Sequence, residues 1–177
     1  MAERSLNSIL DEINTEIKTV SFGGKITTWN LAYLQEKDEK TFPLVNQGNR
    51  NGYKISWDDK YPLQTYHRII DVENETDASK GFGSKIYRRR TYKMRLVGIG
   101  SKLKLSVAPY EDNQEICKVV ADSLPSILTN KEFVEVTGFE VTKQEVYDNE
   151  FTGIDQKSLS LEGVAFWINY DLKVQIC

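Results

Sequence analysis

The side chains that could support acid–base or nucleophilic chemistry are few and lie far apart in the chain. There is one histidine, His67, and there are two cysteines, Cys117 and Cys177. A lone histidine in a strand-like segment is more often a packed or surface residue than a catalytic base. The spacing pairs it with no activated nucleophile, and the cysteines lack the clustered spacing of a zinc site. We therefore predict no enzyme activity, no catalytic residue, no metal and no cofactor.

Two glycine-rich pieces, Gly81–Lys85 and Gly98–Lys102, each resemble part of a phosphate-binding loop. Neither has the four-residue spacing of the Walker pattern, and neither opens a suitable helix. We interpret both as turns that flank strands. The acidic run Glu73, Glu75 and Asp77 matches no calcium-loop spacing, so it is predicted to be a solvated loop.

The stretch Lys85–Arg95, KIYRRRTYKMR, is the strongest candidate for nucleic-acid contact. Arginine and lysine neutralise phosphate, and tyrosine can stack on bases. Alternation along a strand divides the basic residues between two faces. One face carries Arg89, Lys93 and Arg95, and the other carries Arg88 and Arg90 beside Tyr92.

Charge is distributed unevenly along the chain. Residues 81–109 contain eight basic residues and no acid, whereas residues 110–177 contain thirteen acids and five bases. The two segments could pair within one molecule, or they could meet between copies in a head-to-tail assembly. The net charge of -3 and the pI near 5.4 argue mildly against a bulk nucleic-acid binder.

The C-terminal segment 163–177 is the clearest structural element. Apolar residues occupy every second position from Phe166 to Ile176, which predicts a long strand with one apolar face. Apolar residues at helical spacing predict amphipathic helices over 4–19, where Ser5 can cap the first turn, and over 110–128. Further strands are predicted over 26–35, 42–45, 53–57, 65–72, 86–99, 103–107 and 133–146, the last with a bulge at Gly138. The prediction is one α+β domain, residues 1–177, with a mostly antiparallel sheet and two amphipathic helices packed on it.

Residues 73–84 have little to bury and predict a long exposed loop, which we interpret as an arm that contacts a partner. Residues 147–157 predict an acidic loop. The first residues lack the apolar run of a signal peptide, and no segment reaches the length of a membrane span. We expect synthesis in the cytoplasm and no membrane contact.

This order of elements resembles the tail-terminator, tail-completion and neck-ring proteins of long-tailed bacteriophages. The resemblance covers most of the chain. It depends on the first helix (6–17), the strands with their long loop (73–84), the second helix (111–124) and the closing strand (164–174). The region 26–62 is longer than in the simplest members of that family.

The resemblance implies a structural virion protein, made in the host cytoplasm, that forms a homo-oligomeric ring, commonly sixfold. Such a ring caps the tail tube, docks to the head connector and lets DNA pass without reading its sequence. Our hypothesis is that the basic strand or the 73–85 loop meets an acidic surface of an adjacent copy. The candidate interface residues are Arg88, Arg89, Arg90, Lys93, Arg95, Glu73, Glu75, Asp77 and Phe82.

Two other functions remain open from the sequence. One is a small nucleic-acid-binding module that uses the basic strand 85–95, which retention on DNA with a steep salt dependence would favour. The other is an enzyme whose site leaves no motif, which a buried acid with a raised pKa in a deep pocket would favour.

Overall fold

The computed structural model describes residues 4–20, 22–46, 52–54, 61–76, 88–105, 112–129, 132–151 and 163–176. Its helices are α1 (Leu6–Val20), α2 (Lys102–Leu105), α3 (Asn113–Asp122) and α4 (Lys143–Glu150), with a 3₁₀ turn at Phe22–Gly24. Its strands are β1 (Ile26–Lys37), β2 (Lys40–Asn46), β3 (Gly52–Lys54), β4 (Leu63–Thr76), β5 (Arg88–Ser101), β6 (Phe133–Glu140) and β7 (Gly163–Ile176).

The strands form one seven-stranded sheet in the order β3-β2-β1-β4-β5-β7-β6. All neighbours are antiparallel except β1 and β4, which run parallel. β5 and β7 pair along their whole length, from Arg88 opposite Ile176 to Ser101 opposite Gly163. The predicted α+β fold with a mostly antiparallel sheet is confirmed.

The alternation of β7 directs its side chains into two separate cores. Its even-numbered residues, Val164 to Val174, pack with α1 and α3 on the first face of the sheet. Ala165 and Trp167 belong to the second core, which is covered by Val146 and Tyr147 of α4 and by Phe151, the residue after it. We call these the α1/α3 face and the α4 face. The two predicted amphipathic helices therefore pack on the same face of the sheet, each through its apolar stripe.

Helix α4 is a correction, because the sequence predicted a strand as far as Val146 and then a loop. The strand ends at Glu140, whose carboxylate Oε1 accepts hydrogen bonds from the backbone N–H groups of Val141 (2.9 Å) and Thr142 (2.7 Å). This local turn diverts the chain from the strand direction. The following helix, KQEVYDNE, has two adjacent apolar residues rather than a helical stripe, so periodicity does not reveal it.

Strand β4 extends beyond its predicted end, and this corrects the loop prediction for residues 73–76. Glu73 to Thr76 pair with Thr91 to Arg88 of β5. Cross-strand partners of opposite charge stabilise this polar extension, although it buries little. Asp77 and Phe82, and the rest of the predicted loop, lie outside the described residues.

Three smaller features bear on the predicted element boundaries. Residues 102–105 form a helical turn rather than a strand, and Lys25 Nζ donates to the carbonyl of Leu105 at 3.0 Å. Helix α3 ends at Asp122 and is shorter than predicted; the hydroxyl of its C-cap residue, Ser123, donates to the Val120 carbonyl at 2.6 Å. The predicted bulge in β6 is confirmed by a register shift between Val136 and Gly138.

Candidate functional site

The basic residues of β5 lie on the faces that alternation predicts, and acids of the same molecule neutralise several of them. Lys93 forms an ion pair with Glu73, and that hydrogen bond raises the pKa of Lys93. Glu75 is the cross-strand neighbour of Arg89. The structure thus brings these candidate residues together within one copy of the chain.

Two further basic residues of this strand, Arg90 and Arg95, also have partners. On the α1/α3 face, Arg90 donates from Nε to Asn74 Oδ1 (2.9 Å) and from Nη1 to the Tyr92 hydroxyl (3.2 Å). On the α4 face, Arg95 donates from Nε to Asn169 Oδ1 at 3.1 Å. Its guanidinium carbon lies 3.9 Å from the ring centroid of Trp167, a cation–π contact. The backbone of Arg88 pairs in β5, and its side chain is outside the described part.

The carboxylate of Glu150, at the end of α4, is buried beside the side chains of Arg68 and Arg95. Glu150 is fully buried and accepts hydrogen bonds from the Tyr66 hydroxyl (3.0 Å) and from Arg68 Nη1 (2.5 Å), and Arg95 Nη1 lies 3.8 Å away. Burial raises the pKa of the Glu150 carboxyl, and the charge of Arg68 opposes that rise. The arrangement attaches α4 to β4 and β5.

A series of hydrogen-bonded polar side chains, which we call the polar chain, crosses the interior on the α1/α3 face. The buried His67 ring contacts Asn14 Oδ1 through Nε2 (3.0 Å) and the Tyr170 hydroxyl through Nδ1 (2.7 Å). Asn14 Nδ2 donates to Asn30 Oδ1 (2.7 Å), and Asn30 Nδ2 donates to Asp11 Oδ1 (2.9 Å). The chain therefore runs from a buried tyrosine to a carboxylate at the surface. Burial lowers the pKa of His67 to about 3, so the imidazole is neutral at physiological pH.

The polar chain reaches the surface in a cleft of about 560 Å³ between α1 and β1. The lining residues are polar except for one tryptophan: Asp11, Asn14, Thr15, Lys18, Thr28, Trp29 and Asn30. The cleft has hydrogen-bonding groups, but His67, which lies between Tyr170 and Asn14 in the chain of hydrogen bonds, is bonded on both nitrogens. Among the described residues of the cleft, this geometry leaves no histidine free to act as a base on a substrate.

Exposed apolar side chains are concentrated at two margins of the sheet. Among the described residues, seven of the nine exposed large hydrophobic side chains lie there. The β6 margin consists of Ile127, Phe133, Val136 and Phe139, on and beside the last strand of the sheet. The β4 margin consists of Ile69, Ile70 and Val72, beyond His67, where the described pairing of β1 with β4 ends. Two strands, β5 and β7, separate the margins.

Metal-binding clusters and membrane-spanning helices are not found in the part of the chain that the structure describes. Its residues contain no group of three or more histidine, cysteine or acidic side chains able to hold a metal ion. None of the described helices combines the length and the apolar character needed to cross a bilayer. Neither a protein family model nor a curated protein sequence matches this chain.

Sequence reasoning missed Glu150, Asn14 and both margins. The sequence contains one signal for Asn14, because this polar residue interrupts the apolar stripe of α1 beside Ile13. The structure shows that Asn14 is almost fully buried. A polar residue at such a position predicts a buried partner. The exposed apolar residues of β6 gave none, because strand alternation does not say which strand forms the edge of the sheet.

Proposed function

We propose that this protein is a structural virion protein of a tailed bacteriophage, which forms a homo-oligomeric ring at the head–tail junction or the tail end. The ring caps the tail tube and joins it to the head connector, and DNA passes through its lumen. The observation that carries the assembly part of the proposal is the pair of exposed apolar margins. The phage assignment itself rests on the resemblance in element order.

The margins favour a ring because they are different from each other. A two-fold dimer uses the same patch on both copies, whereas a closed ring needs two different surfaces on each copy. The β6 margin offers two phenylalanines on the last strand of the sheet order, and the β4 margin offers branched aliphatic side chains where the described pairing of β1 with β4 has ended. Unpaired strand edges with exposed apolar side chains are typical sites of association between chains.

Charge does not prevent these margins from meeting. Glu73, next to the β4 margin, and Glu135, next to the β6 margin, are paired within their own copy with Lys93 and Lys173. Asp71 lies between Ile70 and Val72 and directly opposite Lys93 in the register of β4 and β5, so a contact at the β4 margin must leave its carboxylate in water or beside that lysine. The same internal pairing argues against our hypothesis that the basic strand is the main contact with an acidic surface of a neighbour.

The test is the molar mass of the purified protein in solution, measured by light scattering at increasing concentration and at low and high salt. We expect a discrete ring-sized oligomer, or a monomer that assembles as concentration rises, with little loss at high salt because the contact is apolar. Electron microscopy of the assembled fraction should show closed rings. A strict monomer that also fails to bind purified tail tubes would contradict the proposal.

The rival function, a nucleic-acid-binding module on the basic strand, has less support. Lys93 and Arg95 make contacts with Glu73, Glu150 and Asn169 that a bound phosphate would have to replace. Retention of the monomer on DNA at physiological salt, falling steeply as salt rises, would favour the rival over the ring.

A further inference from the structure

Two buried threonine hydroxyls on neighbouring strands have no hydrogen-bond partner among the described residues. They are Thr28 of β1 and Thr65 of β4, and their Oγ1 atoms are inaccessible to solvent. Thr28 is 8% exposed and Thr65 is fully buried. Buried polar groups in proteins are nearly always bonded, because desolvating a hydroxyl without a partner is costly. The pair therefore needs a common explanation.

The two threonines are direct neighbours across the parallel pairing of β1 and β4. Ile26 and Leu63, the register pair two residues earlier, both lie in the core against α1. Because side chains alternate along strands, both hydroxyls also lie on the α1/α3 face. His67 lies two residues beyond Thr65 on the same face and bonds to Asn14 of α1.

We propose that Thr28 and Thr65 form the binding site of a single ordered water molecule between α1 and the sheet. Each hydroxyl can donate or accept, so one water can bridge both of them. Asn14 lines the same cleft as Thr28, and its Oδ1 accepts one bond from His67 and retains a second lone pair. Buried waters typically have two to four polar partners of this kind.

Thr28 is part of the wall of the cleft between α1 and β1, whereas Thr65 does not line it. Because both Oγ1 atoms are closed to solvent, the water enters from the cleft only when the packing around Thr28 opens locally. The bound water then joins β1 and β4 in the region where the Asn14–His67 bond joins α1 to β4. It completes the polar layer beneath α1 independently of what the protein assembles with.

A double-mutant cycle with Thr28→Val and Thr65→Val tests the bridge, since valine keeps the shape and removes the hydroxyl. Either change alone should raise the unfolding equilibrium constant, because it deprives the water of a partner. The unfolding equilibrium constant of the double variant should be about tenfold smaller than the product of the two single effects predicts. Thr27→Val, on the opposite face of β1, is the control for β-propensity.

The alternative is that the two hydroxyls are unsatisfied and bind no water. In that case each valine would lower the unfolding constant, and the two gains would multiply, which would overturn the proposal. Oxygen-17 magnetic relaxation dispersion of the native protein provides a second test. The dispersion amplitude should fall by the contribution of one water in the double valine variant and persist in Thr28→Ser/Thr65→Ser, which keeps both hydroxyls. An unchanged amplitude in the valine variant would also overturn it.

Discussion

His67 Nε2 lies 3.0 Å from Oδ1 of Asn14, and this contact determines the state of the buried imidazole. The Asn14 oxygen can only accept, because its Nδ2 donates to Asn30. Nε2 must therefore carry the proton, and Nδ1 accepts from the Tyr170 hydroxyl. Every donor in the chain points toward Asp11, so helix α1 is fixed on the sheet by a neutral histidine.

Stability should fall in mild acid because of His67. An unfolded histidine takes up a proton below its ordinary pKa of 6.5, whereas the folded one resists protonation until about pH 3. The unfolded state therefore binds more protons in this window, and the free energy of unfolding decreases as the pH falls. At 1.36 kcal/mol per pKa unit, His67 should account for a loss of about 2 kcal/mol between pH 7 and pH 5.

Urea unfolding of the wild type and of His67→Gln at both pH values measures this loss. The comparison is needed because the raised pKa of Glu150 acts in the opposite direction at acid pH. The variant should be less stable at pH 7 but should show the smaller decrease on acidification. Parallel pH profiles for the two proteins would refute the assignment to His67.

Removing the buried carboxylate beneath α4 should be among the most damaging single changes. Glu150→Ala leaves Arg68 and Arg95 without their buried counter-charge, and breaking such a pair typically costs about 3–5 kcal/mol. Gln144→Ala, on the exposed side of the same helix, should change stability by about 0.5 kcal/mol or less. Chemical denaturation measures both, and equal small effects would mean that the two arginines find other partners readily.

Gly98 should tolerate no side chain while Phe166 remains opposite it. A Cβ at Gly98 would overlap the Phe166 ring, its register partner on β7, so Gly98→Ala should cost about 1–3 kcal/mol. The cost should be smaller in a Phe166→Leu background, where the ring is absent. Gly138→Ala is the control, since a Cβ added there would meet nothing within 4 Å. Thermal unfolding of these variants and of the wild type would show whether the losses of Gly98→Ala and Phe166→Leu are coupled or merely additive.

If the β4 margin of one copy contacts the β6 margin of the next, a mixture of two variants should assemble differently from either variant alone. Val72→Asp should disable the β4 margin and Phe139→Asp the β6 margin, and each purified variant should remain monomeric where the wild type assembles. An equimolar mixture should form dimers and nothing larger. The intact β6 margin of Val72→Asp can contact the intact β4 margin of Phe139→Asp, and no other pair of intact margins remains.

Light scattering of the separate and mixed variants distinguishes the alternatives. If β6 margins paired with each other, Val72→Asp alone would dimerise and the mixture would gain nothing. Far-UV circular dichroism should first show that both substituted chains fold, which their exposed positions lead us to expect. Assembly of every variant to the wild-type mass would place the contact elsewhere on the molecule.

Elements with strong periodicity could be predicted from local patterns alone. The alternation in β7 and the apolar stripe of α1 each have one solution that buries their apolar residues. The faces of Arg89, Lys93 and Arg95 followed from the same alternation. The absence of a helical stripe in residues 143–150 hid α4, whose position depends on burying Glu150 against arginines from two distant strands.

The order of the strands, by contrast, depends on the tertiary structure. Sheet order brings Glu73 beside Lys93 and leaves β6 at the edge, although nothing local to either segment specifies its neighbour. The partners of His67 likewise come from α1 and β7, at sequence separations of 53 and 103 residues. Local patterns fix which face of an element is apolar. The packing of the whole chain determines what that face meets, because burial and hydrogen bonding must be satisfied for all elements at once.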